Sequence, residues 1–375
     1  MRIAMISDCY LPRLGGIETL VRDLSHQLQA AGHQVLVFTA TPDRDAVSPA
    51  EPFVVRRLTA RLPGELPVVP RARARLRREL AAARPDVVHV HAGVVSPFAW
   101  SGIAAAQELG LPVVITWHCT LGPVGAWVGA RWGAPRRWQE RGAVLSAVSR
   151  YAAGWVERAG GHQVRVVPNG ITVAHWQPAA RAPRQGRPVR CVAAIRLVRA
   201  KRPQVLVAQF ARAVAAVPQV EAELVLCGSG PRRRALQQQI ARAGIAHRVR
   251  LAGRVTREEL AALYRQSDVY LSARLDEAFG IAPLEARTAG LAVVGRAGTG
   301  MDDFITPGRN GLLANSDDEL GEHLAWLLAN PGELAAITAH NATTPPTEDW
   351  PTVVETVVAA YAAAQGAASG GGLLQ

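Results

Sequence analysis

The only lysine of this chain lies in the stretch RLVRAKRP, between Arg196 and Pro203. Lysine and arginine together number 42, so the remaining 41 cationic positions are arginine. A guanidinium group presents a planar fork of hydrogen-bond donors, whereas an ammonium group is a compact point charge. Lysine would therefore be needed at a position where the larger guanidinium group does not fit. A lysine retained by chance on a loop before a helix would give the same pattern.

Two carboxylates, Glu277 and Glu285, are separated by seven residues in the stretch ARLDEAFGIAPLEARTAG, and a helix is predicted from about Ala282. One carboxylate then lies in a loop and the other about one turn into the helix. The loop carboxylate suits sugar hydroxyls and the helical one suits a ribose diol, while the amides between them face a phosphate. A surface charge and an ordinary helix residue favoured by the dipole would also explain the pair.

Three glycine clusters follow predicted strands: Gly15-Gly16, Gly228-Ser229-Gly230 and the stretch from Gly295 to Gly300. None matches the dinucleotide fingerprint G-x-G-x-x-G or a phosphate-binding P-loop. Gly15 and Gly16 directly precede a predicted helix, whose free N–H groups and dipole favour an anion. Glycines in a tight turn would explain this cluster equally well.

Strand and helix patterns alternate along the whole chain. The runs RIAMIS, QVLVFTA, DVVHVH, LPVVITWH and AVLSAVS predict the strands of one parallel sheet, and VRCVAAI, AELVLCG, VRLAG, DVYLSA, LAVVG and GLLA predict a second. A Pro/Arg/Gly-rich segment, 178–188, separates the two series. The sequence thus predicts doubly wound α/β domains at 1–177 and 189–350, a C-terminal helix at 352–364 that packs back on the first domain, and a flexible tail at 365–375. Ligands of such sheets bind at the carboxyl ends of the strands.

Composition narrows the class of protein. With 375 residues, of which 49% are hydrophobic, the chain can bury two cores. Four dispersed cysteines without a C-x-x-C spacing argue against a zinc site and a disulfide framework, and favour a reducing, cytoplasmic location. Two uncharged windows, 87–107 and 109–130, are long enough to span a bilayer, but their internal glycines and prolines favour buried strands followed by helices.

The charge distribution points to an anionic partner. The chain carries a formal charge of +12, and the segment Arg56–Arg84 holds nine arginines and two glutamates, a net charge of +7. Membrane lipid, nucleic acid or a phosphorylated substrate would each suit such a patch. A solvated arginine-rich face remains an equal alternative.

Several motifs together resemble the retaining, nucleotide-sugar-dependent glycosyltransferases of family four. The resemblance covers essentially the whole chain and rests on EAFGIAPLEA, VVITWH ending at His118, VSRY with Ser149, PNGI at 168–171, the Gly15-Gly16 loop, and the pair Arg196 and Lys201. Two positions depart from the family pattern: Ile195 stands where glycine is frequent, and Thr172 where aspartate is common. Neither departure removes a charged group.

The resemblance implies the GT-B fold, in which two Rossmann-like domains flank a cleft. It also implies transfer of a hexosyl group from a UDP- or GDP-linked donor, with Arg196 and Lys201 on the diphosphate, His118 beside the transferred sugar, and Glu277 on its hydroxyls. The implied donor-binding residues are Gly15, Gly16, Gly230, Phe279, Gly280, Ile281 and Glu285.

The expected reaction proceeds with retention and without a cofactor. Because no Asp-x-Asp pair lies at a strand end, we expect Arg196, Lys201 and helix amides to take the place of a divalent metal. No dedicated nucleophile is evident from the sequence. We therefore expect a front-face displacement, in which the leaving phosphate helps to deprotonate the acceptor hydroxyl.

Cationic and aromatic residues in the first domain suggest the acceptor. The stretch VPRARARLRREL predicts a helix with Arg71, Arg75 and Arg78 on one face, and the stretch from Gly122 to Trp138 interleaves Trp127 and Trp132 with arginines. Such side chains suit an anionic membrane interface. The chain is similar to phosphatidylinositol mannosyltransferases, which favours a lipid-linked acceptor and a peripheral position on the inner face of the membrane. A soluble cyclitol or natural-product acceptor, bound by the tryptophans, is the alternative.

Two other classes explain less of the sequence. A nucleic-acid-binding protein would use the charge and the tryptophans, but it leaves the carboxylate pair and the glycine loops unexplained. An NAD-dependent oxidoreductase with two dinucleotide-type domains lacks the glycine fingerprint. We therefore expect a nucleotide-sugar donor and no nucleic-acid partner.

Overall fold

The computed structural model describes residues 1–13, 15–43, 50–59, 69–177 and 186–370. The chain divides into two compact units. The first comprises Met1–Gly170 with Glu348–Gln375, and the second comprises Ile171–Thr347. The boundary thus falls at Gly170, before the Pro/Arg/Gly-rich segment, of which 178–185 lie outside the described residues.

The first unit is built on a seven-stranded parallel sheet. Its strand order is β3-β2-β1-β4-β5-β6-β7. The strands are β1 (Arg2–Ser7), β2 (Gln34–Thr39), β3 (Val54–Arg57), β4 (Val87–Ala92), β5 (Val113–Trp117), β6 (Val144–Ala147) and β7 (Arg165–Val166). The helices are α1 (Gly16–Ala30), α2 (Ala72–Ala83), α3 (Pro97–Glu108), α4 (Gly122–Trp132), α5 (Ala134–Glu140), α6 (Arg150–Arg158) and the C-terminal α14 (Trp350–Gly370).

The second unit repeats this architecture with a six-stranded sheet. Its order is β10-β9-β8-β11-β12-β13. The strands are β8 (Val189–Ala194), β9 (Ala222–Cys227), β10 (Val249–Gly253), β11 (Val269–Leu271), β12 (Ala292–Arg296) and β13 (Gly311–Ala314). The helices are α7 (Val173–Trp176), α8 (Pro203–Ala216), α9 (Arg233–Arg242), α10 (Arg257–Arg265), α11 (Ile281–Thr288), α12 (Asp317–Ala329) and α13 (Pro331–Thr343). Two parallel-sheet, Rossmann-like domains are confirmed.

The central strands form because their apolar runs are covered on both faces. Every residue of β4 and β5 is buried, which is typical of parallel strands between two layers of helices. The run in β4 nevertheless contains two histidines, His89 and His91, which are 1% and 2% exposed. Buried polar groups of this kind require hydrogen-bond partners.

The C-terminal helix α14 belongs to the core of the first unit. Trp350, Val353, Val357 and Tyr361 are buried in the same cluster as residues of α1, β1 and β2. A methyl group at Gly170 would overlap the ring of Trp350, so glycine allows the helix to approach the PNG turn. The helix continues to Gly370. The prediction of a tail from 365 was therefore wrong for 365–370, and 371–375 lie outside the described residues.

The two uncharged windows are divided as expected. The first contains β4 and most of α3, and the second contains β5 and most of α4. Throughout the described ranges, each helix lacks either the length or the apolar character needed to cross a bilayer.

Candidate active site

The loops after two neighbouring strands of the second unit bring the predicted charged residues together. Strand β8 pairs with β11 in parallel, so both strands end at the same edge of the sheet. The loop after β8 carries Arg196 and Lys201, and the loop after β11 carries Glu277. Tertiary structure thus assembles residues that are distant in the sequence, since Lys201 and Glu277 are 76 positions apart.

Glu277 forms two charge-assisted hydrogen bonds. The Lys201 ammonium donates to Glu277 Oε2 at 2.9 Å, and the Arg274 guanidinium donates to Oε1 at 3.1 Å. Burial lowers the pKa of Lys201, the Glu277 carboxylate opposes this shift, and the nearby cations Arg274 and Arg196 lower the pKa further. Sequence reasoning missed Arg274, because one arginine among 41 carries no signal without its partner.

Arg196 lies exposed beside this cluster. Within the described residues, its guanidinium has no hydrogen bond or ion pair. The backbone of the next residue is held on both sides: the Leu197 N–H donates to the Ser229 carbonyl at 3.0 Å, and the Arg232 N–H donates to the Leu197 carbonyl at 3.0 Å. The guanidinium is thus a positive charge without a counterion from the described residues, which leaves it available to an anion.

The glycine cluster 228–230 is what allows this loop to pack. Gly228 has a φ of +128°, and a methyl group there would overlap the Ile195 carbonyl oxygen. A methyl group at Gly230 would lie 2.5 Å from the Leu197 carbonyl oxygen. The structure therefore gives Gly230 a role in the close approach of two backbones on either side of Arg196, while direct contact between Gly230 and a ligand stays a prediction.

The N-terminus of α11 lies in the same loop system. Gly280 precedes the helix with a φ of +104°, a conformation that favours glycine. The Gly300 N–H donates to the Glu277 carbonyl at 2.8 Å, and the Phe279 ring packs against Phe304 with centroids 5.5 Å apart. Glu285 is the fifth residue of α11 and is partly buried. The first amides of α11, from Ile281 onward, are thus presented beside Glu277.

Arg202 connects the lysine loop to two other elements. It is a non-glycine residue with a φ of +51°. Its guanidinium donates to both carboxylate oxygens of Asp317, at 2.8 and 2.6 Å, and to the Ala273 carbonyl at 3.1 Å. Because Arg202 follows Lys201 directly, this ion pair fixes the turn that presents the ammonium group. No motif or spacing in the sequence singles out Arg202.

In the first unit, His118 follows β5 and contacts a second histidine. Its Nε2 lies 2.8 Å from His91 Nδ1. Burial lowers the pKa of His118 to about 4, and the side chain of Asn169, from the PNG turn, raises it in part. Burial also lowers the pKa of His91 well below its usual value, and nearby His89 and His118 lower it further. Both imidazoles are therefore neutral at physiological pH.

The glycine loop before α1 has a carboxylate at its centre. Gly15 is the N-cap of α1, and a methyl group there would overlap the carboxylate of Glu18, which is 5% exposed. The Arg13 Nε lies 3.3 Å from Glu18 Oε1, and around Gly16 the space is open. The carboxylate of Glu18 thus lies at the N-terminus of α1, where the sequence predicts that an external anion binds. Anion binding at this position stays a prediction.

Ser149, from the motif VSRY, has a structural role. Its hydroxyl accepts a hydrogen bond from the Ala152 N–H at 3.0 Å and so caps α6. A serine cap satisfies one of the free N–H groups in the first turn of a helix.

Two family models match the chain in succession. Residues 14–175 match the family described as Glycosyltransferase Family 4, and residues 182–344 match Glycosyl transferases group 1. The D-inositol 3-phosphate glycosyltransferase of Pseudarthrobacter chlorophenolicus is 31% identical, over 87% of this chain and 86% of that protein. The chain belongs to glycosyltransferase family 4.

Further comparisons agree with this glycosyltransferase assignment. The phosphatidyl-myo-inositol mannosyltransferase of Mycolicibacterium smegmatis is 28% identical, over 98% of this chain and 95% of that protein. Among solved structures, Anabaena HepE in complex with UDP has a TM-score of 0.76 at 20% identity, over 96% of this chain and 100% of that chain. The enzyme therefore has the GT-B fold, as predicted.

The basic helix of the glycosyltransferase differs in part from the prediction. Helix α2 begins at Ala72, so Arg71 precedes it with a φ of +55° and does not share its face. Arg78 is exposed, whereas Arg75 is half-buried and donates to the Thr59 carbonyl at 3.3 Å. The opposite side is apolar, since Leu76 is fully buried. The helix thus presents fewer free arginines than its sequence suggests.

Helix α4 exposes large apolar side chains. Trp127 is 68% exposed, Trp132 is 69% exposed, and Val124 is 76% exposed. Trp138, on α5, instead packs against Trp117 with ring centroids 6.1 Å apart. Only Ala126 of α4 is buried. The glycosyltransferase therefore carries an exposed apolar helix next to the arginines of α5.

In the ranges that the structure describes, no three His, Cys, Asp or Glu side chains are grouped so as to hold a metal ion. Independence from metal nevertheless stays a prediction.

Proposed function

We propose that the enzyme transfers a hexosyl group from a UDP- or GDP-linked sugar to an acceptor hydroxyl, with retention of anomeric configuration. The observation that carries this proposal is the cluster of Arg196, Lys201 and Glu277 at adjoining strand ends, followed by the N-terminus of α11. Cations, a carboxylate and free helix amides match the diphosphate and the hydroxyl groups of such a donor.

The cations act on the leaving group. Cleavage of the bond between sugar and phosphate builds negative charge on the β-phosphate oxygens, and fixed cations stabilise that charge more in the transition state than in the ground state. Arg196 supplies a charge not neutralised by a described residue. Lys201 shares its charge with Glu277 and retains further N–H donors for a phosphate oxygen.

A front-face displacement is the proposed route. The acceptor oxygen bonds to the anomeric carbon on the side from which the phosphate departs, and the acceptor proton passes to a phosphate oxygen. Glu277 is a poor nucleophile for a covalent sugar intermediate, because both its oxygens already accept hydrogen bonds from cations. In this proposal Glu277 holds sugar hydroxyls, Glu285 holds the ribose, and His118 orients the transferred sugar.

The proposed acceptor is lipid-linked. The mycobacterial relative is named for a phosphatidylinositol substrate, and exposed Trp127 and Trp132 suit the interface of a membrane. We therefore propose a peripheral position on the cytoplasmic face of an anionic membrane. The second candidate is a soluble cyclitol phosphate, which is favoured by the relative named for D-inositol 3-phosphate.

A donor screen tests the proposed reaction. The enzyme is incubated with UDP- and GDP-sugars, with and without EDTA, and release of free nucleotide is followed by mass spectrometry. Donor cleavage that persists in EDTA and disappears in Arg196→Ala supports the proposal. No cleavage of any donor, or a product with inverted linkage by NMR, contradicts it.

A second experiment separates the two acceptor classes. Phosphatidylinositol in vesicles and soluble inositol phosphate are offered with the preferred donor, to the wild type and to the double variant Trp127→Ser and Trp132→Ser. Transfer to lipid that falls in the variant supports the membrane proposal. Transfer to inositol phosphate alone favours the soluble acceptor.

A further inference from the structure

A chain of buried polar side chains crosses the face of the first sheet that α14 covers. His89 Nδ1 lies 2.8 Å from the Tyr361 hydroxyl, and His89 Nε2 lies 2.7 Å from Thr116 Oγ1. Thr116 Oγ1 lies 2.6 Å from Ser146 Oγ, which donates to the Ile115 carbonyl at 3.1 Å. A carbonyl oxygen can only accept a hydrogen bond. The Ile115 carbonyl at the end of this row of hydrogen bonds therefore sets the direction of each bond before it.

The tautomer of His89 follows from that direction. Because the Ser146 hydroxyl donates to a carbonyl, it accepts from Thr116, and Thr116 in turn accepts from His89 Nε2–H. Burial lowers the pKa of His89 to about 3, so the ring is neutral. Its Nδ1 therefore carries no proton and accepts from the Tyr361 hydroxyl. His89 is fully partnered and unable to share a proton with His91.

His91 and His118 form a separate pair that contains a single shared proton. The 2.8 Å contact joins His91 Nδ1 to His118 Nε2. Since both rings are neutral, one nitrogen donates and the other accepts. Either His91 Nδ1–H donates and the proton of His118 is on Nδ1, or His118 Nε2–H donates and its Nδ1 is bare.

The surroundings favour the first arrangement. Within the described residues, His91 Nε2, His118 Nδ1 and Asn169 Oδ1 are all buried without a hydrogen-bond partner. The second arrangement would leave a permanently unpaired N–H on His91 and would set a bare His118 Nδ1 beside the Asn169 carbonyl oxygen. The first leaves a lone pair on His91 unused and turns the His118 Nδ1–H towards the side chain of Asn169, which raises the pKa of His118. An unused lone pair is tolerated better than a permanently unpaired N–H.

We propose that His91 is a positioning residue that holds His118 in the tautomer with its proton on Nδ1. The inference rests on the proposed function, in which His118 lies beside the transferred sugar. His118 then offers an N–H donor to a sugar oxygen, and its other nitrogen is occupied by His91. It does not act as a base, which leaves the acceptor proton to the departing phosphate.

Nitrogen NMR tests the tautomer directly and without reference to activity. Histidine is labelled with nitrogen-15 in the full chain, and the His118 signals are identified by their loss in His118→Gln. The expected result is a protonated Nδ1 and a bare Nε2 in His118, with the reverse pattern for His89. An unprotonated Nδ1 in His118 overturns the proposal.

Kinetics test whether His91 acts through His118. His91→Leu is expected to lower kcat/KM for the donor about ten-fold, the effect of losing one hydrogen bond to a reacting group. His91→Asn is expected to remain within about three-fold of the wild type, because its amide N–H takes the place of Nδ1–H. In a His118→Ala background, His91→Leu is expected to cost no more than about two-fold. An equal cost in both backgrounds indicates a purely structural role and overturns the proposal.

The control is His89→Asn, which alters a buried histidine on the same strand. It is expected to lower the Tm and to leave the His118 tautomer unchanged. If the wild type cleaves no nucleotide sugar, the proposed function is wrong. The NMR experiment still decides whether the His118 tautomer is as proposed, because it does not depend on activity.

Discussion

The substitution Glu277→Gln probes the charge cluster most directly. The carboxylate accepts from Lys201 at 2.9 Å and from Arg274 at 3.1 Å, and its side chain is 14% exposed. Glutamine keeps the shape and one acceptor oxygen but removes the negative charge. Two cations, with Arg196 beside them, then lose their common counterion.

The size of the effect follows from these contacts. A hydrogen bond to a charged group contributes about 1.5–3 kcal/mol when fully buried. One acceptor oxygen survives, and the Lys201 and Arg274 side chains are 23% and 29% exposed, so solvent screening reduces the net loss to about 1–2 kcal/mol. For a domain of this size the Tm falls by about 2–8 °C. If Glu277 also binds sugar hydroxyls, kcat/KM for the donor falls by about ten- to hundred-fold.

The pH dependence gives a sharper test than the size of the loss. Burial lowers the pKa of Lys201, and Glu277 opposes that shift. Without the carboxylate the pKa falls further, so the ammonium loses its proton at a lower pH. The alkaline decline of kcat/KM, which reports the free enzyme, is therefore expected to move to lower pH in Glu277→Gln.

The assay measures initial rates at low donor concentration between about pH 7 and about pH 10, near the usual range of lysine titration. The control is Glu223→Gln, which removes a carboxylate paired with Arg190 at 2.5 Å in the same unit. An alkaline limb that stays in place, or moves to higher pH, would refute the assignment of Lys201 and Glu277 as one electrostatic unit. An equal shift in the control would refute it as well.

Substitutions at three positions test the loops of this cluster further. Lys201→Arg keeps the charge but is expected to lower kcat/KM for the donor at least about ten-fold, because a larger planar group must replace a partly buried ammonium. Steady-state rates of this variant are compared with those of Lys201→Met, which lacks the charge. Arg202→Ala and Arg202→Gly both lose the ion pair with Asp317, but only glycine adopts a φ of +51° without strain. Thermal unfolding is therefore expected to give the alanine variant a free energy of unfolding about 1 kcal/mol lower than that of the glycine variant. Gly230→Ala places a methyl group 2.5 Å from the Leu197 carbonyl oxygen and is expected to weaken nucleotide binding measured by calorimetry.

Each of these three predictions would be contradicted by a specific result. Lys201→Arg with wild-type turnover would show that the single lysine is incidental. Equal unfolding temperatures for the two Arg202 variants would show that its backbone conformation carries no strain. For the glycine, the matched control is Gly332→Ala in α13, where a methyl group meets nothing within 4 Å; equal nucleotide affinities in the two variants would exclude a role of the 228–230 loop in placing Arg196.

Much of the architecture was predictable because it rests on local patterns. β-branched runs of strand length, separated by helical spacing, predict parallel sheets, and both sheets form where those runs lie. The strand and helix patterns placed Lys201 and Glu277 in loops before helices, but they did not place those two loops beside each other. The family resemblance added the ligand expected at these residues, which spacing alone leaves open. Helix ends were less accurate, since α14 continues six residues beyond 364, to Gly370.

Tertiary structure alone decided which side chains meet. The ion pair between Arg202 and Asp317 joins residues 115 positions apart, and the pairing of His91 with His118 depends on β4 lying beside β5. Such contacts are set by strand order and by the convergence of loops, which periodicity does not encode. The sequence determined which chemical groups this protein contains and which strands, helices and loops carry them. Only the folded chain determined their partners, because burial and distance, not residue type, set the charge and the proton of each group.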